Sequence, residues 1–155
     1  MIQFKILEFS QIETITTMMQ DFYAIDNYPI DIEVSKKLFQ EFISNEKLGK
    51  AFLICHSNEG RTSELVGYVI LTYVFSFEYK GRIAFIDELY LRETARGKGI
   101  GAKTLTFIKE QIPKLSLKLL YLEVEHHNEN AQRLYIANDF VIHNRKLLKF
   151  KTLTI

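Results

Sequence analysis

Cysteine is nearly absent from this chain of 155 residues: Cys55 stands alone. One thiol excludes a disulfide scaffold and a multi-cysteine zinc site. An excess of one charge sign is also lacking. Twenty Lys and Arg face nineteen Asp and Glu, for a net charge of +1. That balance excludes a strongly basic nucleic-acid protein and an acidic tail. Long apolar runs are missing too, the longest falling far short of the ~20 residues that span a bilayer. The opening MIQFKILEFS carries no basic stretch followed by an apolar one, so no signal peptide and no membrane partner are expected. The expected setting is cytoplasmic, with Cys55 reduced. Glycine is scarce at seven residues, but four of them lie between positions 81 and 101, and Gly97, Gly99 and Gly101 alternate. With 47% hydrophobic and 25% charged residues, the rest is ordinary globular composition. The length fits a single domain over residues 1–155.

Hydrophobic spacing orders the chain. Residues 2–8 alternate as a strand, and Ser10 with Glu13 forms a capping box for a helix over 11–24. Asn27, Tyr28 and Pro29 break that helix, and Asp31 caps a second one carrying Val34, Leu38, Phe39, Phe42 and Ile43. Residues 50–55 form a strand and 57–64 a turn. Strands at 65–77 and 83–91 make a hairpin with Gly81 at its tip. A helix from Ile100 ends at Pro113, and 117–125 is a strand. Asn128 caps a short helix, and strands at 140–143 and 147–153 close the chain. Strands mixed with helices and hairpins predict a mixed sheet flanked by helices, with a parallel crossover across 83–125.

The segment Arg96-Gly97-Lys98-Gly99-Ile100-Gly101 follows a strand and opens a helix. Unpaired N–H groups and the helix dipole make such a junction an anion site. Glycines bring the backbone close to a phosphate, and Arg96 and Lys98 add cationic donors. A plain flexible turn is the alternative, and it explains the alternation less well. No Walker A spacing is present. Gly97, Gly99 and Ala102 fit a dinucleotide fingerprint, with Glu123 placed to hold a ribose. Against it stand the late position of the motif, the intervening RETAR loop and the short remaining chain.

Asp87 and Glu88 interrupt the apolar strand FIDELYL. Alternation directs them to opposite faces. Buried carboxylates are costly, so the pair points to a polar cleft, unless Arg82 or Arg92 neutralises one of them. His126, His127 and His56 have no metal-ligand spacing around them, so no metal is expected. No Cys–His–Asp arrangement is legible, which disfavours an acyl-enzyme.

The loop resembles the R-x-x-G-x-G motif of the GNAT superfamily of N-acetyltransferases. A second segment, LEVEHHNENAQRLYIANDF (122–140), is similar to that family's fifth strand and fourth helix. Val124, Asn128, Ala131, Leu134, Tyr135 and Phe140 fall at the matching positions, while Asp139 replaces a usual glycine at a site needing left-handed geometry. The resemblance covers the chain. It implies an α/β (α+β) fold: a mixed, mostly antiparallel sheet of about seven strands, splayed between strands four and five, with about four helices.

The resemblance also implies roles. The amides of Lys98, Gly99, Ile100, Gly101 and Ala102, with Arg96 and Gly97, would wrap the pyrophosphate of acetyl-CoA. The backbone of Leu89 and Leu91 would pair with the pantetheine arm, beside Asn128. Tyr135 would protonate the leaving thiolate. An alkyl amine with pKa ~10.4 lies over three units from neutrality at pH 7, about 4.6 kcal/mol. Glu88 or Asp87 is the expected proton acceptor, with Glu123 behind them. Residues 22–33 would cover the acceptor, offering Tyr23, Asp26 and Tyr28 to a cationic amine. The implied function is acetyl transfer from acetyl-CoA to a small-molecule, peptide or protein amine, by direct attack in a ternary complex. A non-catalytic acyl-CoA sensor and a nicotinamide-binding protein are the alternatives, and a homodimer is the family-level expectation.

Overall fold

The computed structural model describes residues 1–58 and 62–153, in two compact units, Met1–Glu123 and Val124–Ile155. The centre of the predicted 57–64 turn lies outside the described residues. In the first unit the chain runs β1 (Ile2–Ile6), α1 (Ile12–Ile25), α2 (Ile32–Ser44), β2 (Gly49–His56), β3 (Glu64–Ser76), β4 (Gly81–Leu91), α3 (Ile100–Lys114) and β5 (Leu120–Leu122). The strands form one sheet in the order β1-β2-β3-β4-β5. Every neighbouring pair is antiparallel except β4 and β5, which are parallel as the strand–helix–strand reading required.

Local chemistry sets the element ends. Asp31 accepts from the Val34 amide at 3.0 Å and starts α2, as expected. Asn27, at φ 55°, takes the left-handed turn that ends α1. The start of α1 differs from expectation: residues 9–11 form a short 3₁₀ turn, and the Gln11 side chain accepts from the Glu8 amide at 3.0 Å. Ser10 lies inside that turn, so the predicted Ser10–Glu13 box does not form.

Two apolar clusters sandwich the sheet. One packs Ile15, Met18 and Met19 of α1 and Phe39 of α2 on Leu53, Tyr68, Ile70 and Tyr90. The other joins Ile54 and Val66 to Ala95 and Ile100, with Leu89 and Leu91 against it. Phe107 of α3 stacks on Phe4 at 4.0 Å and meets Phe52 edge-on at 5.0 Å. Among the described residues no helix is long and apolar enough to cross a membrane.

The second unit carries α4 (Glu129–Ala137). Asn128 accepts from the Ala131 amide at 3.1 Å, the predicted cap. Asp139 sits at φ 69°, the left-handed geometry inferred for it. The two expected closing strands are a correction: the described part of 140–153 holds no strand, and the described residues form a sheet of five strands rather than about seven. Val141, Ile142, Leu148 and Phe150 are exposed. Alternation there permits an extended chain, but a ladder also needs a partner edge, which a local pattern cannot supply.

Candidate functional site

The ladder between β3 and β4 breaks once. Ile70 faces Glu88 and Leu71 faces Ile86, so Asp87 is the extra residue of a β-bulge. The bulge corrects the alternation argument for Asp87 and Glu88. Glu88 lies opposite Ile70 and two residues from Tyr90, on the face of the α1–α2 cluster. Both its carboxylate oxygens are taken by tyrosines there. Tyr68 donates to Oε1 at 2.7 Å and Tyr23 donates to Oε2 at 2.8 Å. Neither Arg82 nor Arg92 pairs with it: Arg82 stacks over the Tyr73 ring at 4.6 Å and donates to the Leu115 carbonyl. Tyr68 is a site residue the sequence did not reveal, because it sits in an apolar run and looks like core.

Burial raises the Glu88 carboxyl above its ordinary value, against the pull of the two tyrosine hydrogen bonds, and the Asp87 charge adds to the rise. Partial desolvation raises Asp87 as well. Tyr23 and Tyr68 are both pushed up, by burial first and then by the Glu88 charge, so both phenols stay protonated and donate. The result is a half-buried carboxylate held by two neutral donors, with no cation beside it among the described residues.

Beyond the bulge, β4 has a free side. It pairs with β5 only at Ala84, Phe85 and Ile86, and β5 stops at Leu122. Leu89 and Leu91 pair with Val69 and Gly67 of β3, and no strand pairs with them from the β5 side among the described residues, although the Leu91 carbonyl accepts from Arg96 Nε. Strand β5 is shorter than the expected 117–125, which leaves Glu123 just past its end and exposed.

After β4 the chain turns through Glu93–Ala95 into the glycine loop. Gly97 and Gly99 hold φ 71° and 74°, and Gly99 is the residue before α3. An added Cβ at either would meet nothing within 4 Å. Left-handed geometry, not crowding, is therefore what calls for glycine here. Backbone amides from Lys98 to Ala102 donate to no backbone acceptor among the described residues, leaving a row of N–H groups at the helix start. Arg96 is anchored by its Nε on the Leu91 carbonyl at 2.9 Å, close to the ring of Tyr90.

The first unit thus brings together Tyr23, Glu88 and Asp87, and separately the loop 96–102 with the open edge of Leu89 and Leu91. Asp26 ends α1, and Tyr28 is exposed beyond it. In the second unit Tyr135 lies on α4, packed edge-on to Phe140 at 5.8 Å, and burial raises its phenol. Asn128 caps the same helix.

The first unit thus sets a parallel pair of strands, which part beyond Ile86, beside a glycine-led helix start, with a half-buried carboxylate on the longer strand. The chain matches the acetyltransferase (GNAT) family model over residues 14–140 and belongs to that family. It is 34% identical over 77 residues to an uncharacterised N-acetyltransferase, YhfO, of Bacillus subtilis, covering 50% of this chain and 52% of that one. It is 29% identical over 105 residues to the D-amino-acid N-acetyltransferase HPA3 of Saccharomyces cerevisiae, covering 66% and 62%. The chain thus spans between about half and two thirds of these relatives' lengths. An integron cassette protein from the mobile metagenome of Cole Harbour Salt Marsh has the same fold, with a TM-score of 0.85 at 26% identity, covering 98% of this chain and 91% of that one.

Proposed function

We propose that this chain is a single-domain, cytoplasmic N-acetyltransferase that moves the acetyl group of acetyl-CoA directly to a primary amine. The observation that carries the reading is Glu88, half-buried with no cation beside it among the described residues and gripped by two tyrosines on the strand that leads into the glycine loop. A carboxylate that no cation neutralises suits an ammonium ligand and the proton it must lose. The amides of Lys98 to Ala102, with Arg96, receive the pyrophosphate, and the side of Leu89 and Leu91 that no strand covers receives the pantetheine arm; Asn128 is assigned to that arm by its match to the family motif alone. The amine nitrogen attacks the thioester carbon, a C–N bond forms and the C–S bond breaks. Glu88 takes the amine proton, directly or through water, and the Tyr135 phenol protonates the departing thiolate. Tyr23, Asp26, Tyr28 and Glu123 line the acceptor side, with Asp87 adding negative potential. A small amine acceptor is in keeping with the relative named for D-amino acids.

Incubation with acetyl-CoA and an amine panel, read by free-thiol release, tests this proposal. At least one primary amine is expected to stimulate release. Absence of acetyl-CoA binding by calorimetry at high micromolar concentration refutes it. Two variants probe its parts. Gly99→Ala forces a side chain into left-handed geometry at a cost of ~1–2 kcal/mol. Its expected signature is at least about tenfold weaker acetyl-CoA binding with a melting point lower by only about 2–8 °C. Tyr135→Phe is expected to reduce kcat by about a hundredfold with acetyl-CoA affinity retained. Unchanged kcat removes the phenol from the chemistry.

A further inference from the structure

Glu88 presents two oxygens in two different settings. Oε1 accepts from Tyr68, which lies at the sheet centre on β3 and is 0% exposed. The Tyr68 ring is held by Tyr90 at 5.7 Å and by the edge of Phe22 at 6.5 Å. Oε2 accepts from Tyr23, which is partly exposed and stands in the last turn of α1. Four residues later Asn27 turns the chain out of the helix at φ 55°. Ring contact of Tyr23 is to Phe22, edge-on at 6.1 Å. One donor is therefore locked in the core and the other sits at the end of a helix, next to solvent.

An ammonium is a donor like the Tyr23 hydroxyl, and its bond to a carboxylate is the stronger because it carries charge. Exchanging Tyr23 for the acceptor keeps Oε2 satisfied. Exchanging Tyr68 would require opening the sheet core. We propose that the two tyrosines have divided roles: Tyr68 is a positioning residue that holds Oε1 throughout, while Tyr23 is a displaceable partner that yields Oε2 to the acceptor's ammonium. The proton then passes from nitrogen to Oε2, leaving a neutral amine and a neutral Glu88 whose Oε1 still accepts from Tyr68. This rests on the reading of Glu88 as the proton acceptor. The groups that act on Glu88 are Tyr23 from α1, Tyr68 from β3 and Asp87 on β4 itself.

The pH dependence of Tyr68→Phe and Tyr23→Phe separates the roles. The acid limb of kcat/KM reports the free enzyme and that of kcat the substrate complex. Losing a donor to the carboxylate raises its pKa by roughly one unit. Tyr68→Phe is expected to move both limbs upward. Tyr23→Phe is expected to move the kcat/KM limb alone, because its bond is already exchanged in the complex. A Tyr23→Phe shift in both limbs, or no shift in either for Tyr68→Phe, overturns the proposal. If Tyr68→Phe does not fold, 3-fluorotyrosine at position 68 keeps the shape, strengthens the donor and should lower both limbs; no movement counts against the proposal. If the wild type acetylates no amine, the function proposed above fails by itself. The division is then read from the ¹³C carboxyl titration of Glu88 with ethylammonium chloride added. Tyr23→Phe matching the wild type supports it, and a shift equal to that of Tyr68→Phe overturns it.

Discussion

Glu88→Gln is expected to lower kcat/KM for the amine by about a hundredfold to ten-thousandfold, the range of a lost general base, while the fold persists. In the proposed mechanism the carboxylate is the active form, and burial raises its pKa above the ordinary 4.5. Wild-type activity should therefore decline as pH falls through that raised value, and the variant should lack this limb. Stability has the opposite sign. A carboxyl with a raised folded pKa contributes stability below its unfolded value and loses it as pH rises through the folded one. At neutral pH the partly buried charge is a burden that glutamine does not carry. Relative to the wild type the variant should fare best at pH 7, melting within a few degrees of it, and should lose ground as the pH falls. A variant that melts far lower at pH 7 would show Glu88 to be structural, and one with unchanged kcat/KM would remove it from the chemistry.

Gly67→Ala should lower stability strongly. An added Cβ would lie 2.1 Å from the Tyr90 carbonyl oxygen and 2.9 Å from Leu91 Cδ2. A side chain could swing aside, but the carbonyl belongs to the β3–β4 ladder, where Gly67 faces Leu91. Relief requires parting the two strands at the point where β4 delivers Arg92 to the Val66 carbonyl and the chain to the glycine loop. Overpacking of this kind costs about 3 kcal/mol or more. That is a fall in melting point of about 6–12 °C for a chain of this size. A fall of under ~2 °C would mean that the strands separate there at little cost.

Much of the fold was legible because it is written locally. Asp31 and Asn128 announce helix starts by their capping chemistry, and Asn27 announces an end by its tolerance of positive φ. The glycine loop was legible for the same reason: left-handed backbone at a helix start calls for glycine, and glycine alternation at a strand–helix junction encodes it. What escaped was set by partners distant in sequence. Counting outward from the Ser76–Gly81 end of the hairpin puts Glu88 opposite Val69, on the face away from Tyr68. The extra residue at Asp87 moves it opposite Ile70, so neither its face nor its tyrosine partners follow from alternation. The length of β5 escaped for a like reason, since a strand ends where its neighbour ends. Strand-like patterning in 147–153 states a preference for extended chain and says nothing of an edge to meet it.

The bulge also makes β4 two half-strands of opposite phase. Ala84 and Ile86 belong to one phase, Glu88 and Tyr90 to the other, and the change occurs within a single residue. A substitution library laid out on one alternation rule across residues 81–91 would be right for one half and inverted for the other. It would send polar side chains into whichever core it misread. Each half can be varied under its own rule, with Asp87 as the boundary. The residue that breaks the period is thus what allows the face that carries Glu88 and the face that carries Ala84 and Ile86 to be redesigned independently on the same strand.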